Sequence, residues 1–278
     1  MHEYSKSTAF SILIGAIIVI GLFSMMIFGP FILSYGPLEI GGNALAPPSL
    51  NHLMGTDSVG RDVLSRIMWG GRYSFLIAMI AVGMSSLIGT FSGIASGYVG
   101  GKIDRLLTLL VDCLYAFPIY IMAVTVAAIL GPTVVNLAFS VGIAYIPRYF
   151  KVMRSIALSV KEKMFIEAEK CLGAGSFYII YHHILPYIIS STIVLISMGV
   201  AQSILMVSGL GFLGIGIQAP TPEWGTDLSS GRNYFFNGAW WVVFFPGLMI
   251  FLAVLGFNLL GEGLNAIFQE RGVETYGT

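Results

Sequence analysis

The chain has 278 residues, of which 56% are hydrophobic and 10% charged, and its mean hydropathy is +0.85. Soluble domains carry about a quarter charged residues, so this composition excludes an ordinary soluble globular protein. Fourteen Lys and Arg balance fourteen Asp and Glu, whereas a nucleic-acid-binding surface needs a basic surplus. We therefore predict an integral membrane protein. Its partners include the lipid bilayer and do not include nucleic acid.

Six apolar segments are long enough to cross a bilayer, which takes about 20 residues as a helix. They cover about 8–29, 74–98, 106–130, 134–153, 184–217 and 238–262. The first exceeds the core of a signal peptide and no small-residue cleavage site follows it, so we expect a retained helix. The fourth is short and interrupted by Pro147-Arg148, and the fifth can include an interfacial or re-entrant end. The runs are uninterrupted rather than alternating, which predicts an all-α fold with six transmembrane helices.

The distribution of Lys and Arg predicts that both termini are cytoplasmic. With the N-terminus inside, four basic residues lie outside: Arg61, Arg66, Arg72 and Arg232. The other ten lie inside: Lys6, Lys102, Arg105, Arg148, Lys151, Arg154, Lys161, Lys163, Lys170 and Arg271. We divide the chain into an N-terminal helix plus external segment (1–72), a core of five transmembrane helices (73–265) and a cytoplasmic tail (266–278).

Turn-forming pairs such as Gly29-Pro30 and Pro47-Pro48 mark the external connection after helix 1, which predicts an ordered loop or short helices. In helix 2, small residues recur at every fourth position: Ala81, Ser85, Gly89, Gly93, Gly97 and Gly101. Such spacing lets two membrane helices approach closely, so we predict a helix crossing at Gly89, Gly93, Gly97 and Gly101. A hinge between moving helices is the alternative.

Four polar residues within the predicted spans are candidates for a path through the membrane: Asp112, Gln202, Ser203 and Asn258. An intramembrane carboxylate is a functional candidate by default, although Asp112 lies near enough to a helix end to reach the headgroups. The three neutral residues could equally form hydrogen bonds between neighbouring helices.

Sites for catalysis, metals and nucleotides are missing from the sequence. No phosphate-binding G-x-x-x-x-G-K-[ST] loop is present, and the G-x-G-x-x-G run 209–214 lies in an apolar helical segment without a βαβ unit, which favours packing or a bend. His182 and His183 are adjacent and point in different directions on a helix, and Cys113 and Cys171 are far apart in sequence. We predict a non-enzyme that binds no cofactor or metal.

The cytoplasmic segment after span 4 carries the strongest local signal. Ser159-Val160-Lys161-Glu162 fits a capping box, which predicts a helix beginning near Val160 and ending before Gly173 and Gly175, with a second helix from about Ser176. Val160, Met164, Ala168 and Cys171 share one side of the first helix. A short amphipathic helix of this kind can lie on the membrane surface or dock in the groove of a partner.

The run Glu167-Ala168-Glu169-Lys170-Cys171-Leu172-Gly173, followed by 183–186, resembles the EAA loop of ATP-binding-cassette importer permeases. The family pattern is E-A-A-x-x-x-G, so this chain departs from it at Glu169, where alanine is usual. Three more stretches resemble the permeases that import dipeptides, oligopeptides and nickel: residues 53–66, 214–225 and 257–264. The resemblance covers nearly the whole chain.

This resemblance implies a second homologous permease chain, two cytoplasmic ATPases that bind ATP and Mg²⁺, and an extracytoplasmic substrate-binding protein, all at the plasma membrane. The coupling contact with the ATPases would involve Met164, Phe165, Glu167, Ala168, Glu169, Leu172 and Gly173. Peptides are the expected cargo, and nickel, a metal chelate or an oligosaccharide would suit the same machine. An ion-coupled secondary carrier, which would need inverted repeats and buried charged coupling residues, is the alternative from another class. A membrane enzyme lacks any convergent catalytic group.

Overall fold

The computed structural model describes the backbone of residues 2–276 and the side chains of residues 8–268. Over this range the fold is helical, and its extended pairing is limited to two isolated bridges, Ile40 with Arg61 and Thr56 with Asp62. A π-helical turn over Ile180–Ile184 joins the seventh helix to the eighth. The described helices are α1 (His2–Ile32), α2 (Val63–Val99), α3 (Gly101–Tyr115), α4 (Ile119–Leu130), α5 (Val134–Lys161), α6 (Met164–Cys171), α7 (Ser176–Ile179), α8 (Leu185–Phe212), α9 (Trp224–Phe235) and α10 (Trp241–Tyr276).

Four helical stretches of the described residues are long and apolar enough to cross a membrane: Thr8–Ile32, Val63–Val99, Ser176–Phe212 and Trp241–Phe268. A fifth span results if α3 and α4 count as one broken element, since they meet at an angle of 89°. The all-helical membrane architecture predicted from the sequence is therefore confirmed at this level. The predicted single helix over 106–130 is wrong: α3 stops at Tyr115, shortly before Pro118, which disfavours helical backbone in the residue before it.

Helix α5 contains the fourth predicted span. It is not one of the four apolar helices named above, because Arg148 and Lys151 lower the hydropathy of the segment. It is a continuous helix of 28 residues in spite of Pro147. Arg148, Lys151, Arg154 and Lys161, which the sequence places in a cytoplasmic segment, all lie on this helix.

The capping box predicted at Ser159 is also wrong as a helix start. Residues 159–161 form the last turn of α5, and α6 begins only at Met164. Met153, Ala157 and Val160 are buried on one side of α5, so its packing register continues through the proposed cap. At its other end the helix does begin with a side-chain cap, in which Thr133 accepts a hydrogen bond from the backbone N–H of Asn136.

Two apolar clusters hold these helices together. The larger one joins α2, α5, α8 and α10, and Trp224 of α9 is fully buried in it. The smaller one lies where the C-terminal end of α2 meets α5, α6, α7, the π-helical turn and α8, and it includes Met153, Ile166 and Ile184. The second cluster fixes the position of the predicted coupling segment.

The connection between α1 and α2, residues 33–62, is an ordered loop that ends in the N-cap of α2. We call it the external loop, after the side of the membrane that the sequence predicts for it. Asp62 Oδ2 accepts from the backbone N–H of Ser65 at 2.8 Å, and Asp62 Oδ1 lies 2.9 Å from His52 Nδ1. Helix α2 begins 11 residues before the predicted start at residue 74, at Val63. Its early turns contain Arg66, which pairs with Asp227, and Arg72, whose Nε donates to the Met26 carbonyl oxygen at 2.7 Å. These partners allow charged residues in the first turns of a long apolar helix.

At the C-terminal end, α10 continues beyond the predicted limit of residue 262 and stays helical through Tyr276, into the segment predicted as a tail. The fifth predicted span also ends earlier than expected, because α8 stops at Phe212 and Gly214 adopts a left-handed conformation with φ +81°. The glycines of the 209–214 run therefore end a helix, in agreement with the bend predicted for them.

Candidate coupling surface and translocation pocket

One buried side chain anchors helix α6 to the protein, and contacts of partly exposed residues add to this attachment. All eight of its residues are described, and only Ile166 is buried, where it joins Val160 and Ile179 in the smaller apolar cluster. Next to the helix, Lys163 Nζ donates to Tyr187 Oη at 2.7 Å. A short helix attached in this way follows the position of α5 and α8 but leaves most of its own surface free.

The residues predicted for the coupling contact lie together on this free surface. Met164 and Leu172 expose 82% and 85% of their surface, and Glu167 and Ala168 are exposed between them. Exposed apolar side chains in a contiguous patch are typical of a protein interaction site. We call the patch the coupling surface, and its residues are Met164, Phe165, Glu167, Ala168, Leu172 and Gly173.

Glu169, where the chain departs from the E-A-A pattern, is directed toward its own protein. Its Oε1 lies 3.4 Å from His183 Nε2 on the π-helical turn, and the ring of Phe165 lies 5.6 Å from the same imidazole. A π turn adds one residue to a helical turn, and such turns are frequent at functional sites. The acidic side chain therefore contributes to fixing α6 rather than to its exposed patch.

Gly173 ends the coupling segment in a conformation that side chains disfavour. Its φ is +86°, its N–H donates to the Lys170 carbonyl at 3.0 Å, and the N–H of Ala174 donates to the Glu169 carbonyl at 3.0 Å. Glycine has no Cβ to clash in this left-handed region, so it suits the residue after a helix. The turn connects α6 to α7.

Three glycines of α2 lie against the backbone of α5. A Cβ built on Gly89 would come within 2.5 Å of Tyr149 Cβ, on Gly93 within 2.7 Å of the Phe150 carbonyl oxygen, and on Gly97 within 2.7 Å of the Arg154 carbonyl oxygen. The two helices cross too closely at these positions for any side chain. Gly101 departs from the prediction: it lies after the end of α2, has φ +62°, and a Cβ there would meet no described atom within 4 Å.

A pocket of about 500 Å³ lies between the broken α3–α4 element and helices α5 and α8. Its walls are mostly apolar and aromatic, with Phe117, Met122 and Tyr145 among them, and its polar residues include Arg148 and Gln202. Non-helical backbone at membrane depth is tolerated where it lines a cavity, which fits the break at Pro118 beside this pocket.

Gln202 is the one residue of the four predicted path candidates that lines this pocket. Asp112 is exposed and its Oδ1 lies 3.0 Å from Lys151 Nζ. Ser203 is fully buried, and its hydroxyl has no hydrogen-bond partner among the described residues. Asn258 is half-buried on α10, outside the pocket.

Arg148 is a pocket residue that the sequence pattern assigned to the cytoplasm. Its Nη1 donates to Gln202 Oε1, and no carboxylate of the described residues lies within 4.0 Å of its guanidinium. Lys151 and Arg154 on the same helix each have such a partner, Asp112 at 3.0 Å and Asp104 at 2.6 Å. A charge near the centre of a membrane helix costs about 2.5–3.5 kcal/mol on insertion scales and is a functional candidate by default. The available signal was its position inside the predicted span 134–153, five residues before the end of that span.

The family of the chain can be decided by comparison with known proteins. The family model described as the inner membrane component of binding-protein-dependent transport systems matches residues 85–272, more than half of the chain. The chain belongs to this family. The match includes the coupling surface and the pocket and leaves out α1 and the external loop. The protein is thus an ATP-binding-cassette importer permease and a multi-pass membrane protein.

Individual relatives resemble the permease over nearly its whole length. The dipeptide transport system permease protein DppC of Alkalihalophilus pseudofirmus is 40% identical over 260 residues, which is 93% of this chain and 85% of the relative. The probable D,D-dipeptide transport system permease protein DdpC of Escherichia coli K12 is 36% identical over 92% of this chain and 86% of its own. The glutathione transport system permease protein GsiD of Pectobacterium atrosepticum is 41% identical over 81% and 74%, respectively.

The external loop and the first turn of α2, which both precede the matched region, form a charged cluster with α9. Arg66 pairs with Asp227 and lies 3.7 Å from Asp57 Oδ2, while Arg61 Nε lies 2.7 Å from the same oxygen. Burial raises the pKa of Asp227 to about 6, against the opposing effect of the Arg66 guanidinium. The arginines near residues 61–66 therefore attach the external loop to the helix before α10.

Proposed function

We propose that the permease forms half of the path for imported di- or oligopeptides, together with a second homologous permease chain. The observation that supports the cargo is the similarity to dipeptide permeases over more than nine tenths of this chain. Two cytoplasmic ATPases, which bind ATP and Mg²⁺, and an extracytoplasmic binding protein complete the proposed machine. This chain itself binds no cofactor and carries out no hydrolysis.

The proposed topology has six membrane crossings, with both termini in the cytoplasm of a plasma-membrane protein. It counts α5 as a crossing in addition to the four apolar helices and the broken α3–α4 element. The positive-inside bias of the sequence supports this orientation. It places α6 on the cytoplasmic side, where the ATPases act.

We propose that the coupling surface docks into the ATPases and that α5 carries their motion to the pocket. Only Glu162 and Lys163 separate α5 from α6, so a displacement of α6 acts directly on the end of α5. The close crossing at Gly89, Gly93 and Gly97 makes α5 and α2 move together. A helix rises 1.5 Å per residue, so the path from Met164 back to Arg148 is roughly 24 Å.

Uptake assays test the cargo. A strain lacking this permease, supplied with the gene in trans, should take up a labelled dipeptide, with uptake falling to background when the gene is absent. Glutathione and Ni²⁺ uptake are measured in the same strains. Gene-dependent Ni²⁺ uptake, without uptake of the dipeptide or of the tripeptide glutathione, contradicts the peptide assignment and leaves the permease family unchanged.

A charge reversal tests the coupling surface. Glu167→Lys should reduce dipeptide uptake at least tenfold and release the ATPases during purification, because it places a cation in the centre of the docking patch. Glu162→Lys is the matched control, with the same charge change in an exposed residue two positions before α6. Equal uptake by the two variants, at equal membrane abundance, would show that α6 is not the contact.

A further inference from the structure

We propose that Arg148 and Gln202 form a binding site for the carboxylate group of the cargo inside the pocket between α3–α4, α5 and α8. The proposal rests on the peptide cargo argued above, since a free peptide ends in a carboxylate. It adds a recognition step within the membrane to the selection made by the binding protein.

The charge balance of α5 supports this assignment. Three cationic residues lie within seven positions on the helix, and two of them, Lys151 and Arg154, are paired with carboxylates of α3. Among the described residues, the guanidinium of Arg148 has one side-chain partner, the neutral amide of Gln202. A guanidinium has five N–H donors in a planar fork that matches a carboxylate through two parallel hydrogen bonds. The single bond to Gln202 leaves donors for an anion in the pocket.

The shape of the pocket fits a small organic anion better than an inorganic ion. Its volume of about 500 Å³ lies within the range of about 300–1,000 Å³ that is usual for small-molecule sites. Phe117, Met122 and Tyr145 provide apolar wall beside the charged group. Small-molecule sites combine such walls with a few polar groups that orient the ligand. A short peptide offers both chemistries, a terminal carboxylate and side chains that can contact apolar surface.

The hydrogen bond to Gln202 also suits a site that binds cargo transiently. Gln202 Oε1 already accepts from the guanidinium, so Arg148 keeps a polar partner when the pocket holds no cargo. An amide oxygen is a weaker partner than a carboxylate for a guanidinium, because it has no net charge and so adds no ionic attraction to the hydrogen bond. Cargo can therefore displace or share this bond and leave again without exposing an unpaired charge.

The test uses the purified complex of both permease chains and the ATPases in lipid nanodiscs, without the binding protein. Two probes are compared, labelled alanyl-alanine and its C-terminal amide. The wild type should bind the acid about tenfold more tightly than the amide, the usual effect of a hydrogen bond to a charged group. Arg148→Gln should bind both probes equally weakly, and Arg148→Lys should recover part of the preference. Lys151→Gln, which removes a cation from the same helix outside the pocket, should behave as the wild type.

Three results would overturn the proposal. The first is a wild-type complex without saturable acid binding, and the second is an Arg148→Gln complex that keeps the preference for the acid. The third is an Arg148→Gln complex that loses the second permease chain on purification, because Arg148 would then pair with a carboxylate of that chain. Dipeptide uptake by the wild type in proteoliposomes containing the binding protein separates these failures from failure of the proposed function. Uptake without an acid preference refutes the site alone.

Discussion

Replacing Gly93 by alanine tests the close crossing of α2 and α5. The new Cβ would lie 2.7 Å from the Phe150 carbonyl oxygen and 3.0 Å from both the Arg154 nitrogen and Met153 Cβ. An ordinary contact begins at about 3.4 Å, so the helices must separate by about 0.7 Å. Two of the three atoms belong to backbone, and a rotamer change cannot move them away. Overpacking of this kind costs about 1–3 kcal/mol.

Gly83→Ala provides the matched control on the same helix, because a Cβ there would meet no described atom within 4 Å. Both substitutions gain about 1 kcal/mol of helix propensity, so the difference between them isolates the overpacking. We expect Gly83→Ala to match or exceed the wild type in stability and Gly93→Ala to be about 1–3 kcal/mol less stable than Gly83→Ala. Gly93→Leu should prevent assembly, since it adds three further carbon atoms at the crossing.

The assay is thermal unfolding of the purified complex in mild detergent, followed by the loss of its monodisperse peak after heating. Gly93→Ala should lose the peak several degrees below Gly83→Ala. Melting temperatures within one degree of each other would refute the close contact. The glycines of α2 would then have to be explained by a requirement for flexibility, which is the hinge alternative that the sequence left open.

Two charged contacts give further predictions. Burial raises the pKa of the Asp227 carboxyl from 3.8 to about 6, so the folded protein favours its protonated form. The stability of the permease should therefore fall as the pH rises from about 4 to 6 and then level off. Asp227→Asn should remove that dependence in melting curves, whereas an unchanged slope would assign it to other groups. Asp104→Asn removes the carboxylate that accepts from Arg154 at 2.6 Å and 2.8 Å, and we expect a loss of about 1–2 kcal/mol in thermal unfolding, since the pair is partly exposed. A melting temperature equal to that of the wild type would contradict the structural role of this pair.

Four of the six predicted apolar runs correspond to long apolar helices, because a bilayer imposes a length that any spanning sequence must meet. The prediction failed at helix starts and breaks that depend on tertiary partners. Helix α2 begins early because Asp227 and a carbonyl of α1 satisfy Arg66 and Arg72, and these contacts are remote in sequence. The break before Pro118, in contrast, could have been predicted from the sequence, because the residue before a proline avoids helical backbone.

The candidate site shows the same division. The residues of the coupling surface follow one another in the chain, so a local pattern could identify them, while the pocket draws its residues from α3, α4, α5 and α8. Arg148 was counted with the cytoplasmic basic residues, although the predicted span 134–153 includes it. Only the neighbouring amide of Gln202, 54 residues away in sequence, shows that the guanidinium belongs to the interior of the helix bundle.

Helix α5 connects all three features, and their order along it constrains how transport can work. Arg148 lies in the pocket, and the contacts with the glycines of α2 run from Ile146 to Leu158, so Arg148 is near one end of that stretch. Helix α6 begins three residues after α5 ends. A force applied at α6 therefore enters the tightly packed crossing at Leu158 and passes along most of it before it reaches Arg148. If α5 moves as one body with α2, the pocket opens or closes as a unit against α3 and α4, whose break at Pro118 permits a change of angle. The coupling surface and the cargo site should then respond to the same motion, so that a variant that loosens the crossing weakens uptake even when ATPase docking and peptide binding are both intact.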